Sequence, residues 1–291
     1  MIYWLNGDYR EDVDAINISE RGFLLGDGVF ETLLVRNGVA AFQDEHLARL
    51  HCGLEALKII TDAPDDIGTV IQTLIKKSGL ENSPASLRIS VARGPAGRGL
   101  KFPKKTGNPT TLITVQEMPQ MSARANALVA LKVSQFARSE KSITARHKTL
   151  NYLDNILAHN DALDSGSDDA VMLNGAGRVA CAPTSNIYVL DDVGTIRTPP
   201  IEEGALPGIV RGLLLQSGTE TGVEICEAPV ELVQLQGGHV FLSNSLFGLR
   251  LAALSGNNNP WPTPAIKILQ RVQTWYDECL RNDLAARAPK Q

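Results

Sequence analysis

Four short stretches of this sequence place reactive or ligand-binding groups at spacings that could do chemistry. The first is Lys148, in RHKTLNYLDNILAHNDAL from Arg146 to Leu163. It stands just ahead of Leu150, Leu153, Ile156, Leu157 and Leu163, whose spacing is close to the i, i+3, i+7 that buries one helix face. A lysine at a helix entrance is by default a solvated charge. Desolvated beside strand residues, its amine becomes a nucleophile. The second is Pro207-Gly208-Ile209-Val210, an ordinary Pro/Gly helix start or else a turn whose free N–H groups would hold a phosphate. The third, FLSNSLFGLR, ends a strand in Ser243-Asn244-Ser245, a plain polar loop or a source of hydroxyls and N–H donors. The fourth, ARGPAGRGLKF, sets Arg93 and Arg98 on a glycine loop, a solvated turn or a carboxylate-binding fork. No G-K-[ST] follows its glycines, so it is not a Walker A loop.

Such groups need a scaffold, and 291 residues at 43% apolar are enough for one large or two medium cores. A net charge of -4 gives no footprint for nucleic acid. No apolar run reaches membrane-spanning length, and MIYWLNGDYREDVD lacks the basic-then-apolar pattern of a signal peptide. Cys52, Cys181, Cys226 and Cys279 form no C-x-x-C and read as reduced thiols of a cytoplasmic protein. The five histidines are scattered, so no metal site is expected.

The first half alternates strand and helix. GVFETLLVRNGVAAF splits at Asn37-Gly38, a hairpin signal. Leu47, Leu50, Leu54 and Leu57 share a helical face, as do Ile67, Val70, Ile71 and Leu74. ASLRISVARG and TTLITVQEMP read as strands. The aperiodic stretch 118–126 is the expected linker between a small α/β domain, 1–117, and a larger domain, 127–291. In the larger domain the spacing predicts a strand at LVALKVSQFAR and the helix after Lys148. A meander with turns at Asn174-Gly175 and Asp192 to Gly194 follows, then a helix from Pro207-Gly208, the strand HVFLSNS and a closing helix through Val272 and Tyr276. The meander suggests a small barrel-like or sandwich core.

Together, and in their order along the chain, the stretches resemble the fold-type-IV, or class IV, aminotransferase family, whose members use pyridoxal 5'-phosphate. The resemblance runs from RGFLLGDGVFETLLV to NSLFGLR. It implies a two-domain α+β/α/β fold, with a small α/β N-terminal domain and a larger C-terminal domain built on a pseudo-barrel sheet, in a homodimer. HKTLNYLDNILA is similar to the segment carrying the Schiff-base lysine, which makes Lys148 that lysine. HLARL resembles the helix that supplies a phosphate-binding arginine, here Arg49. ALPGIVR and LSNS resemble the phosphate cradle, implying the N–H groups of Ile209 and Val210 together with Ser245. Val210 stands where a threonine is common. Tyr152 would also contact the cofactor. Thr32 would lie near the substrate as a second catalytic group, with Phe30, Arg98 and Leu246 lining the substrate and Arg93 structural.

The branches of the family differ in substrate. RGPAGRG, NSLFGLR and Thr32 are more similar to 4-amino-4-deoxychorismate lyase than to branched-chain or D-amino-acid aminotransferases, which stand as the alternative. D-amino-acid enzymes usually carry a lysine where this chain has Leu34 and a histidine where it has Leu100. The implied substrate is a small carboxylate-bearing amine. In GRVACAPTSNIYVL the family's glutamate against the pyridine nitrogen is replaced by Cys181, with Asn186 and Tyr188 fixing the register. A neutral thiol cannot hold a pyridinium proton as a carboxylate does, which implies a weaker electron sink and slow transamination, or a cofactor-binding protein of little turnover.

Overall fold

The computed structural model describes residues 1–12, 16–61, 67–103, 108–118, 128–256 and 261–288. The chain divides into two compact units, Met1–Pro119 with His147–Asn151 and Asn282–Gln291, and Gln120–Arg146 with Tyr152–Arg281. Of the expected linker 118–126, only Met118 is among the described residues.

The first unit is built on a six-stranded sheet. Its strands are β1 (Tyr3–Leu5), β2 (Asp8–Arg10), β3 (Gly28–Arg36), β4 (Val39–Ala40), β5 (Ala85–Ala92) and β6 (Thr110–Glu117), in the order β2-β1-β6-β5-β3-β4. All its pairings are antiparallel. The Asn37-Gly38 turn forms as expected, both residues having positive φ, 50° and 75°. Period-2 alternation sends Leu33 and Val35 of β3 and Leu87, Ile89 and Val91 of β5 into one core. The helices α1 (Arg21–Leu25), α2 (Gln43–Ala56) and α3 (Ile67–Lys77) belong to this unit. Helix α2 buries His46, Leu50, Gly53 and Leu54, and a Cβ on Gly53 would sit 3.0 Å from a methyl of Val29, so α2 lies close on β3. The periodicity of leucines locates this helix correctly. It does not foresee the buried histidine.

The second unit carries an eight-stranded mixed sheet. Its strands are β7 (Val129–Val133), β8 (Asp169–Leu173), β9 (Val179–Cys181), β10 (Asn186–Leu190), β11 (Ile196–Thr198), β12 (Ile225–Glu227), β13 (His239–Asn244) and β14 (Gly248–Leu254). The order is β12-β11-β10-β13-β14-β7-β8-β9. The turns expected at Asn174-Gly175 and at Asp192 to Gly194 join antiparallel pairs, β8 with β9 and β10 with β11, and parallel pairings that turns do not signal complete the sheet. β7 pairs in parallel with both β14 and β8, and β11 with β12, because helical connections return the chain between them. Helices α4 (Ile143–Arg146), α5 (Leu153–Asp164), α6 (Ile209–Gln216), α7 (Gly218–Thr221), α8 (Leu232–Gly237) and α9 (Thr263–Arg287) complete the order, the last residues of α9 grouping with the first unit.

Two expectations about the lysine segment are corrected. Lys148 is not at a helix entrance, since α5 begins at Leu153. The buried face of α5 is Asn155, Ala158 and Ala162, whereas Leu153, Ile156, Leu157 and Leu163 are exposed. Small residues let the helix sit close on its own sheet, so the leucine stripe faces the other way.

Candidate active site

Lys148 is held by backbone, within the first unit. His147–Asn151 runs antiparallel to the start of β3. The N–H of Phe30 donates to the Lys148 carbonyl at 2.9 Å and that of Leu150 to the Gly28 carbonyl at 2.9 Å. Val29 and Thr149 bridge, and the Asn151 amide donates to the Gly26 carbonyl at 2.9 Å. Position 28 must be glycine. A Cβ there would lie 2.5 Å from the Val91 carbonyl and 2.7 Å from Leu150. The lysine Nζ lies 4.2 Å from the centre of the Phe30 ring.

Phe30 and Thr32 share the face of β3 opposite the core. Thr32 pairs with Arg88 and Phe30 with Ser90 across β5, so those side chains lie on the same face. The Arg88 guanidinium is 3.7 Å from the Phe30 ring centre and donates to Ser90 Oγ at 3.1 Å. One aromatic ring thus has an amine and a guanidinium against it, with hydroxyls alongside. Sequence reasoning missed Arg88. The signal was there, an arginine at an outward position of a strand whose alternate residues are core.

On the core side of β3, Glu31 is fully buried between two side chains of α2. Arg49 donates Nε to Oε1 at 2.7 Å and Nη2 to Oε2 at 2.7 Å. His46 Nδ1 is 2.6 Å from Oε2. Burial alone pushes the Glu31 carboxyl up, but the hydrogen bonds from Arg49 and His46, with the Arg49 charge, outweigh it and hold it at about 2. A carboxyl depressed from about 4.5 contributes stability that is present above pH 4.5 and lost as pH falls toward 2. Glu31→Gln should therefore be less stable at pH 7 by about 3 kcal/mol, at 1.36 kcal/mol per pH unit, and the gap in urea unfolding should close on acidification through that window. Parallel pH curves for the two proteins would contradict it.

Arg93 is structural, as expected. It donates to both oxygens of Asp27, at 2.8 and 3.0 Å, and to the carbonyls of Leu57 and Lys58. Burial raises the Asp27 carboxyl, and Arg93 and Arg21 together bring it below its ordinary value. Arg98, by contrast, is exposed on the loop.

In the second unit, α6 opens at Gly208 with no side-chain cap and no acidic residue in its first turn. The Asn186 amide donates to the Leu206 carbonyl at 2.9 Å, and its Oδ1 lies 2.1 Å from where a Cβ on residue 208 would stand. Glycine is required here because Asn186 clamps the turn. The N–H groups of Ile209 and Val210 therefore belong to an uncapped helix start, the donor set an anion takes. Ser245 sits in the turn between β13 and β14. Asn244 Oδ1 accepts the N–H groups of Leu246 and Phe247 at 3.1 and 2.9 Å and shapes that turn. Tyr152 is the residue before α5 and is partly buried.

Cys181 is buried at the end of β9. Burial raises its thiol, Arg138 acts against that, and Asp169 adds to it. Arg138 is itself buried and donates to Asn155 Oδ1 at 3.0 Å and to the carbonyls of Gly204 and Ala145. Among the described residues it makes no ion pair with a carboxylate. Asp169 is occupied by His159 Nδ1 at 3.0 Å and the Ala170 N–H at 2.9 Å. In the first unit Lys148 offers an amine and Arg49 a guanidinium, and in the second the uncapped helix start offers N–H groups, each the kind of group an anionic aldehyde cofactor takes, whereas Cys181 supplies no acid. No cluster of metal-ligating side chains occurs among the described residues.

Comparison with known proteins gives the family. The profile of amino-transferase class IV matches residues 28–254, and the chain belongs to that family. It is an enzyme of the pyridoxal-phosphate aminotransferase and lyase group, with the fold-type-IV architecture. A putative branched-chain-amino-acid aminotransferase of Methanocaldococcus jannaschii is 31% identical over 237 residues, 81% of each chain. The aminodeoxychorismate lyase of Bacillus subtilis is 28% identical over 250 residues, 84% of this chain and 83% of that one. The crystal structure of 4-amino-4-deoxychorismate lyase from Pseudomonas aeruginosa superposes with a TM-score of 0.78 at 27% identity, covering 94% of this chain and 98% of that one.

Proposed function

We propose that this enzyme converts 4-amino-4-deoxychorismate to 4-aminobenzoate and pyruvate. The observation that carries the reading is the face of β3 and β5, where the Lys148 amine, the Arg88 guanidinium and Thr32 surround Phe30. A carboxylate-bearing amine finds a charge partner and a reactive amine there. Lys148 carries the cofactor and moves the substrate proton, and Thr32 is the second proton donor. Arg49, the N–H groups of Ile209 and Val210, and Ser245 hold the phosphate, with Tyr152 and Cys181 against the ring. Phe30, Arg98 and Leu246 bound the substrate, and Arg88 joins them as a carboxylate partner. When bound, pyridoxal phosphate supplies the conjugated ring that takes up the electrons of a bond broken beside the amine. Val210 lacks a hydroxyl, so its contact is through the backbone alone.

Support for the lyase over an aminotransferase comes from RGPAGRG and NSLFGLR, and from relatives of that name at 28% and 27% identity. The archaeal relative at 31% favours the second reading, a transaminase of branched-chain or D-amino acids. Offering aminodeoxychorismate and assaying 4-aminobenzoate, beside L-leucine, L-glutamate and D-alanine with 2-oxoglutarate, separates them. Release of 4-aminobenzoate is expected, and fast transamination without it reverses the order.

We assign the working form as a homodimer in the cytoplasm. The apolar stripe of α5, with Leu153 63% and Ile156 52% exposed, and Phe23 of α1, 82% exposed, need a cover that a second copy supplies. The cysteines are unpaired, as a reducing compartment favours, and no described helix is long and apolar enough to cross a membrane. Sedimentation should give a dimer that Leu153→Asp/Ile156→Asp weakens. A wild-type monomer at every concentration would contradict the assignment.

A further inference from the structure

His46 uses one ring nitrogen and buries the other. Its side chain is fully buried, Nδ1 lies 2.6 Å from Glu31 Oε2, and Nε2 has no hydrogen-bond partner among the described residues. Glu31 is a carboxylate, so Nδ1 carries the proton toward it. Burial holds the imidazole below its ordinary value. Glu31 opposes that shift, and the charges of Arg49 and Lys148 add to it. The neutral ring therefore spends its single N–H on Glu31. That carboxylate in turn takes Nε and Nη2 of Arg49, one oxygen each, in a fork that admits one orientation of the guanidinium. A histidine that orients a carboxylate that orients an arginine is the arrangement that outer residues make around a ligand-holding group.

We propose that His46 and Glu31 are positioning residues that aim the Arg49 guanidinium at an anion, which in the functional reading above, on which this rests, is the cofactor phosphate. Neither touches the ligand. Glu31 cancels the arginine's charge, so what the pair contributes is orientation, and its loss is felt only by a ligand that carries the phosphate. A pair that merely fastened α2 to β3 would affect all ligands alike.

The two ring nitrogens can be replaced one at a time. Asparagine puts an amide donor near the Nδ1 position, and glutamine puts its amide near Nε2. The measurement is the affinity of wild type, His46→Asn and His46→Gln for pyridoxal phosphate and for pyridoxal, which lacks the phosphate, by absorbance titration. Wild type should prefer pyridoxal phosphate. His46→Asn should keep that preference within about threefold. His46→Gln should lose about tenfold of it, the scale of one misplaced charge-assisted hydrogen bond, through weaker binding of pyridoxal phosphate alone. Equal preference ratios in the two variants, or parallel loss for both ligands, would overturn the positioning role. Failure of the wild type itself to bind pyridoxal phosphate would instead overturn the functional reading beneath it.

Discussion

Lys148→Ala should remain folded and lose about 10³-fold or more of its turnover. Removal of one positioned proton-transfer group alone costs 10²–10⁴-fold, and in the proposed function Lys148 also carries the covalent step. The fold should survive, because the segment is held by main-chain bonds. The Phe30 N–H to the Lys148 carbonyl, the Leu150 N–H to Gly28 and the Val29–Thr149 bridge do not involve the lysine side chain. Lys132 is the control. It is a half-buried lysine paired with Asp161 at 3.1 Å, and Lys132→Ala should leave turnover within about twofold. Equal losses from the two substitutions would mean that Lys148 acts through stability. Thermal unfolding beside single-turnover kinetics separates these outcomes.

Cys181→Glu should raise transamination of ordinary amino acids at least about tenfold, the low end of what a well-placed proton partner contributes. The thiol is buried among Ala158, Ala162, Ala170, Met172 and Ala180, and burial keeps it neutral. A carboxylate there would face Arg138, a buried cation whose hydrogen-bond partners among the described residues are an amide and main-chain carbonyls. It would form an ion pair that Arg138 lacks among the described residues, and it would hold a proton on the pyridine nitrogen, as a thiol cannot. Cys181→Gln adds the same volume without the charge, so it should show no gain. If Cys181→Glu binds the cofactor normally and gains nothing, the nitrogen has another partner. If glutamine gains as much as glutamate, the effect is one of packing.

Much of this was legible in the sequence for identifiable reasons. Asn37-Gly38 forms its turn because both residues tolerate positive φ, and α2 and α3 follow their leucine and isoleucine spacing. The helix start after Pro207-Gly208 follows its local pattern, and Arg93 proved structural because four of its contacts lie within the first unit. What stayed hidden depends on partners distant in sequence. Periodicity gave the leucines of 153–163 to the core, but Ala158 and Ala162 allow the closer approach and take that face. The parallel pairings of β7 depend on which strands the helices return to, and turns do not encode that. Glu31 and His46, 15 residues apart, meet only when α2 packs on β3. Arg88 shows itself only once β3 and β5 are in register.

The central claim is that Lys148 is the residue to which pyridoxal phosphate becomes linked. Incubating the protein with the cofactor, reducing with borohydride and mapping the peptides tests it without a substrate and without assuming a reaction. One stable pyridoxyl label is expected, on the peptide that contains Lys148, and none in Lys148→Ala. A label on another lysine, or a wild-type protein that takes no label at saturating cofactor, would contradict it.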